Sequence, residues 1–166
     1  GDVGLVKFGL TLATTSATVA NVNIFGFTDS SYSSPVSGVS TGGQLDSSSK
    51  NIDASAHLEI TAKTSGGATT TIQVPAGSTY YFEVRGTVTG TATTYSVTST
   101  LEGDAAYPSA IAGLLDTVTL IDSEANDDFI WSPNATTTSL VTHQDWTNGY
   151  ALPGFPANGL IQSRSN

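Results

Sequence analysis

The run Ala56-His57-Leu58-Glu59-Ile60-Thr61-Ala62-Lys63 alternates apolar with polar side chains along its whole length. Successive side chains of a β-strand point to opposite faces, so this alternation predicts a strand with one buried face. A Ser65-Gly66-Gly67 turn follows, and residues 69–74 return with Ile72 and Val74 on one parity. We therefore expect the two segments to form a β-hairpin.

Similar β patterns occur on both sides of this hairpin. We expect further strands at residues 1–13, 18–27, 80–88, 95–101, 117–121 and 128–131, and at most a short helical turn at residues 108–115. No stretch has the 3.6-residue periodicity of a long amphipathic helix, which excludes alternating βα frameworks. The predicted fold is all-β, an antiparallel β-sandwich of jelly-roll or immunoglobulin-like type.

The 166 residues suit one domain that spans residues 1–166. Residues 29–53 are rich in Ser and Gly, with isolated Val36, Val39 and Leu45. This composition predicts a long surface excursion between strands.

Charge and composition exclude several classes of partner. Fourteen acidic residues against five Lys and Arg give a formal net charge of -9, which disfavours binding to nucleic acids and anionic membranes. The apolar runs are too short for membrane insertion. The surface hydroxyls are many, with 21 Ser and 26 Thr, and there is no Cys.

Catalytic motifs are weak in this chain. Gly38-Val39-Ser40-Thr41-Gly42 matches the G-x-S-x-G pattern of a nucleophile elbow, but it lies in a Ser/Gly loop without the flanking strand and helix. His57 shares a predicted strand face with Glu59, and His143 lies in a loop. The sequence therefore predicts no enzyme, and a hydrolase is a remote alternative.

The densest acidic segment is the source of a calcium prediction. Oxygen ligands at alternating positions of a loop can wrap a hard cation, although the EF-hand pattern is not matched. The candidate ligands are Asp122, Glu124, Asn126, Asp127 and Asp128. The alternative is that no cofactor binds and the segment is simply solvated.

Two aromatic residues in the last third are candidate ligand-binding residues. Trp146 and Tyr150 are suited to a carbohydrate platform, because aromatic rings stack on sugars. The alternative is that Trp146 fills the core or holds the long C-terminal loop in place. Surface glycans are thus candidate partners.

Lys7 is an unusual residue in a mostly apolar strand. Its polar parity predicts that it reaches solvent. The alternative is an isopeptide bond, in which a buried Lys condenses with Asn beside a carboxylate.

Several phrases in the second half occur together in a known group of proteins. They are VPAGSTYYFEVRG at residues 74–86, TLEGD at 100–104, FIWSP at 129–133, DWTNGY at 145–150 and PG at 153–154. With these phrases, residues 74–166 resemble the C-terminal region of secreted, Thr-rich β-sandwich surface proteins of uncultivated ultra-small bacteria. The resemblance implies an extracellular, cell-surface location and a β-sandwich, and it implies no catalytic residues.

These observations favour an extracellular structural subunit that self-assembles into a surface layer, pilus or filament. The alternative is a carbohydrate- or calcium-dependent adhesion module. Residues 1–13 are a candidate donor or edge strand, and we expect Val6, Phe8, Leu10 and Leu12 to bury against another copy. The competing interpretation is an ordinary first strand within its own sandwich.

Overall fold

The computed structural model describes residues 1–52, 54–109, 114–134, 140–153, 155 and 160–165. The strands are β1 Val3–Thr15, β2 Ala17–Phe27, β3 Lys50–Ile52, β4 Ala56–Thr61, β5 Ile72–Val74, β6 Tyr81–Gly90, β7 Ser96–Leu101, β8 Phe129–Ser132, β9 Thr147–Asn148 and β10 Leu160–Ser165. A 3-10 turn spans Thr41–Gly43, and one short helix, α1, spans Val118–Ile121.

The strands form two antiparallel sheets. The larger sheet has the order β10-β7-β1-β8-β9 with β4 and β5 also paired to β1, and the smaller sheet has the order β3-β2-β6. The sheets pack face to face, because Phe8 and Leu10 of β1 share a core with Ile24 of β2, and Leu12 packs against Val22. The prediction of an all-β sandwich is confirmed.

Strand β1 lies at the centre of the larger sheet with both edges paired. On one edge, β5 pairs with residues 3–5 and β4 with residues 7–12. On the other edge, β8 pairs with residues 4–8 and β7 with residues 10–15. Strand β1 therefore pairs directly with four of the other six strands of the larger sheet.

This central position corrects the predicted interface. Val6, Phe8, Leu10 and Leu12 are all buried within their own chain. Both edges of β1 already have partners from the same chain, so the strand is not free to add to a neighbour. The structure shows the competing interpretation, an ordinary strand of its own sandwich.

The predicted hairpin at residues 56–74 is also corrected. Both β4 and β5 run antiparallel to β1, so they lie end to end along the same edge rather than side by side. A single bridge between Lys63 and Thr69 closes the turn that joins them.

A β-bulge interrupts the alternation of β1. Leu5 lies opposite Trp131 and Lys7 opposite Ile130, so Val6 is an extra residue relative to β8. Leu5 contributes to the core between the sheets. Val6 instead packs in a second cluster on the outer face, with Val118, Ile121, Ile130 and Trp146.

Within the predicted surface excursion, residues 29–52 pack against the two sheets. Val36 and Leu45 are buried in the main core, and β3 pairs with β2. Buried Asp46 accepts hydrogen bonds from Lys63 Nζ and lies 3.4 Å from Lys50 Nζ. These contacts anchor a polar segment that lacks the apolar pattern of a strand.

The region before β8 also departs from the sequence prediction. The strand predicted at residues 117–121 is the helix α1, and the helical turn predicted at 108–115 lies partly outside the described residues. None of the helices described is long and apolar enough to span a bilayer.

Candidate functional site

Lys7 is buried at the middle of the larger sheet, with 1% of its side chain exposed. Its Nζ atom lies 2.8 Å from Oε1 of Glu59, 2.9 Å from Oδ1 of Asp122 and 3.1 Å from Oδ2 of Asp127. We call these four residues the Lys7 cluster. The prediction that Lys7 reaches solvent is wrong, because the acidic segment covers its side chain.

Strands from both edges of β1 lead to the Lys7 cluster. Glu59 lies on β4, opposite Gly9. Asp122 follows α1 directly, and Asp127 lies two residues before β8. Because β4 and β8 pair with opposite edges of β1, the cluster connects both neighbours of the central strand.

Opposing effects set the charge states in the Lys7 cluster. Burial alone lowers the pKa of Lys7, but the three carboxylates around its ammonium outweigh burial and raise the pKa. Burial raises the pKa of Asp127, and the negative charges of Glu59 and Asp122 add to that rise while Lys7 opposes it. Three carboxylates thus share one buried cation.

Asp128 forms a separate contact beside the cluster. Its Oδ1 lies 3.3 Å from Nε2 of His57. Burial raises the pKa of Asp128, His57 opposes the rise, and the charges of Asp104 and Glu102 add to it. His57 is therefore placed against a carboxylate, although a different one from the expected Glu59.

The structure does not gather the five predicted calcium ligands around one point. Asp122 and Asp127 face Lys7, and Asp128 faces His57. Glu124 accepts a hydrogen bond from the backbone N–H of Ser109. The carbonyl of Asn126 accepts from Asn148 Nδ2. In the described part of the chain, no three His, Asp or Glu side chains form a metal-binding arrangement.

Asp104 anchors the acidic segment to the C-terminal part of the fold. Its side chain is buried and accepts hydrogen bonds from the backbone N–H groups of Asp128, Phe129 and Gly149. Three donors on one carboxylate explain how this group is satisfied inside the protein.

Trp146 is a core residue, which corrects the predicted carbohydrate platform. Its side chain is fully buried, and Nε1 donates to the carbonyl of Leu140. Tyr150 remains partly exposed and contacts Tyr107 edge to face, with ring centroids 4.5 Å apart. The two predicted ligand-binding residues are therefore in different environments.

A cleft of about 500 Å³ opens between the two sheets on the side of β6 and β10. Val84 and Val88 of β6 line it and are 42% and 43% exposed. Gln162 and Ser163 of β10 lie across from them. Alternation predicted the strand at residues 80–88. It could not predict the cleft, because the cleft depends on how strands distant in the sequence pack together.

Comparison of this chain with family models, with curated proteins and with solved structures finds no significant match.

Proposed function

We propose that this chain is a structural subunit of an extracellular surface assembly, and that copies join through the free edge of β6. The observation that carries the proposal is the combination of this edge with the adjoining cleft. The resemblance of residues 74–166 to secreted surface proteins supports the location.

Strand β6 has the features of an assembly edge. It is ten residues long and pairs with β2 on one side, and no described residue pairs with its other side. Unpaired backbone N–H and C=O groups along such an edge are a template for another strand. Exposed edges are commonly protected by charged side chains or Pro; β6 has no Lys or Pro, and its two charged residues, Glu83 and Arg85, pair with each other.

The charge distribution favours a second copy as the occupant. The chain carries a net charge of -9, so two copies repel each other over most of their surfaces. Between Arg85 and Glu102 there is no charged residue, and Arg85 is neutralised by Glu83 at 2.7 Å. The neutral surface on β6 and β7 is where identical acidic chains approach at the least electrostatic cost.

The cleft supplies apolar area to the same contact. Val84 and Val88 would leave water when a strand of another copy covers the cleft beside Val97. Hydrophobic burial then adds to the main-chain hydrogen bonds of the strand pair.

The test measures the mass of the particles in solution by light scattering over a range of protein concentrations, together with electron micrographs. We expect particles larger than the 17.0 kDa monomer, and we expect Val84→Lys and Val88→Lys to return the protein to monomers. Leu120→Lys is the matched control, because Leu120 is 46% exposed on α1, away from the cleft. A wild-type protein that stays monomeric, or lysine variants that assemble normally, would contradict the proposal.

A further inference from the structure

The Lys7 cluster holds more negative charge than its single cation balances. With all groups ionised, one ammonium faces three carboxylates within 3.1 Å. The lysine is 1% exposed, so water does not stabilise its ammonium. Such a group, with carboxylate oxygens 2.8, 2.9 and 3.1 Å from its nitrogen, is placed for a reaction as well as for an ion pair.

We propose that Lys7 and Asp127 condense to an intramolecular isopeptide bond, with Glu59 as the catalytic residue that carries the proton. The proposal is independent of how copies assemble. It assigns a covalent link to a chain that has no Cys and therefore no disulfide.

Exposure identifies Asp127 as the acceptor rather than Asp122. The Asp127 side chain is 15% exposed, whereas Asp122 is 44% and Glu59 is 50% exposed. When Lys7 loses its charge, the two carboxylates left without a cation are those that water can solvate. Burial also raises the pKa of Asp127, which favours the neutral acid needed for loss of water.

The backbone around Asp127 is fixed on both sides. The carbonyl of Asn126 accepts from Asn148 Nδ2 at 2.8 Å, and the N–H of Asp128 donates to Asp104 Oδ1 at 2.8 Å. Lys7 is fixed equally well by the central position of β1. The two reacting groups, one on the central strand and one in a loop held by these hydrogen bonds, gain the rate advantage of an intramolecular reaction.

The reaction balances without any cofactor or oxidant. One ammonium proton moves to the Asp127 carboxylate, which leaves a neutral amine beside a neutral acid. The amine nitrogen attacks Cγ of Asp127, Glu59 takes a proton from the nitrogen and returns it to the departing hydroxyl, and water leaves. The Nζ–Cγ bond forms, the Cγ–O bond breaks, and the net charge is unchanged.

Intact-mass spectrometry of the full chain tests the proposal. We expect wild-type protein to be lighter than its sequence mass by one water molecule. Proteolysis should release a branched peptide that joins Lys7 to Asp127, which distinguishes the cross-link from dehydration elsewhere. A wild-type mass equal to the sequence mass, or a branched peptide that ends at Asp122, would overturn the proposal.

Variants separate the roles within the cluster. Lys7→Arg, Glu59→Gln and Asp127→Ala should each show the full sequence mass. Glu83→Gln is the matched control and should still lose one water, because it removes a carboxylate that contacts Arg85 and lies outside the Lys7 cluster. If Glu59→Gln is lighter by one water molecule to the same extent as the wild type, Glu59 is not the proton carrier.

Discussion

Asp128 lies directly over Gly9, and its carbonyl accepts a hydrogen bond from the Gly9 N–H. A Cβ atom at position 9 would lie 2.6 Å from Oδ1 and 2.9 Å from Cβ of Asp128. The absence of a side chain at Gly9 therefore lets the acidic segment settle on β1. This close approach also brings Asp122 and Asp127 within reach of Lys7.

Gly9→Ala should destabilise the protein by about 1–3 kcal/mol, the usual range for an overpacked position. The reason is that the methyl group displaces Asp128 and loosens the cover over Lys7. Urea denaturation measures the change. Gly66→Ala is the control, because its nearest neighbour would lie 3.7 Å away. Equal stability of the two variants would show that the Gly9 contact is unimportant.

Lys7→Met should destabilise the protein by about 3–5 kcal/mol, because the mostly buried Asp127 then loses Lys7, which is its ion-pair partner before the condensation and its covalent partner afterwards. The comparison variant is Arg85→Met, which breaks an exposed pair with Glu83 and should cost about 1 kcal/mol or less. Chemical denaturation of both variants gives the difference. A Lys7→Met variant as stable as Arg85→Met would argue against a structural role for the cluster.

The central bulge explains why sequence patterning located the strand but misjudged two of its side chains. Alternation placed Val6 and Phe8 on one face and Lys7 on the other. A bulge depends on which strand pairs alongside, and β8 begins more than 100 residues later in the chain. The burial of Lys7 has the same long-range origin, since Asp122 and Asp127 cover it from that distant segment.

Other features show the same division between local and long-range information. The alternation in residues 56–63 correctly indicated β4, but the pairing of β4 depends on the central position of β1. The acidic residues 122–128 suggested a cation, and the partner of Asp122 and Asp127 is a lysine ammonium. Trp146 carries no local pattern that distinguishes a core ring from a binding platform.

The contribution of Asp128 to stability should rise as pH falls from 7 toward the ordinary range of an Asp carboxyl, about 4. Burial raises the pKa of Asp128 in the folded state above its value in the unfolded chain, so the folded state binds the proton more readily. Protonation of Asp128 therefore adds stability as the pH falls through its pKa in the folded state. The gain levels off once the pH is below its pKa in the unfolded chain.

Asp128→Asn should reduce this acid-side rise, because the variant cannot titrate at that position. Melting temperatures at several pH values between 7 and 4 measure the slope for both proteins. An unchanged slope in Asp128→Asn would contradict the assignment.

Trp146→Ala should destabilise the protein by about 3–5 kcal/mol, as expected for a large aromatic side chain removed from a core. The control is Tyr150→Ala, which removes a partly exposed ring and should cost much less. Thermal denaturation compares them. A folded, equally stable Trp146→Ala variant that loses binding on a glycan array would instead support the carbohydrate platform.

Hydrogen exchange of the β6 amides tests the central claim, assembly through this edge, most directly. Exchange is followed by mass spectrometry on wild-type protein at low and at high concentration. The account predicts that peptides covering Tyr81–Gly90 become more protected at high concentration, while peptides covering β3, an edge of the same sheet, do not change. Equal exchange of β6 at both concentrations, in samples that assemble, would contradict it.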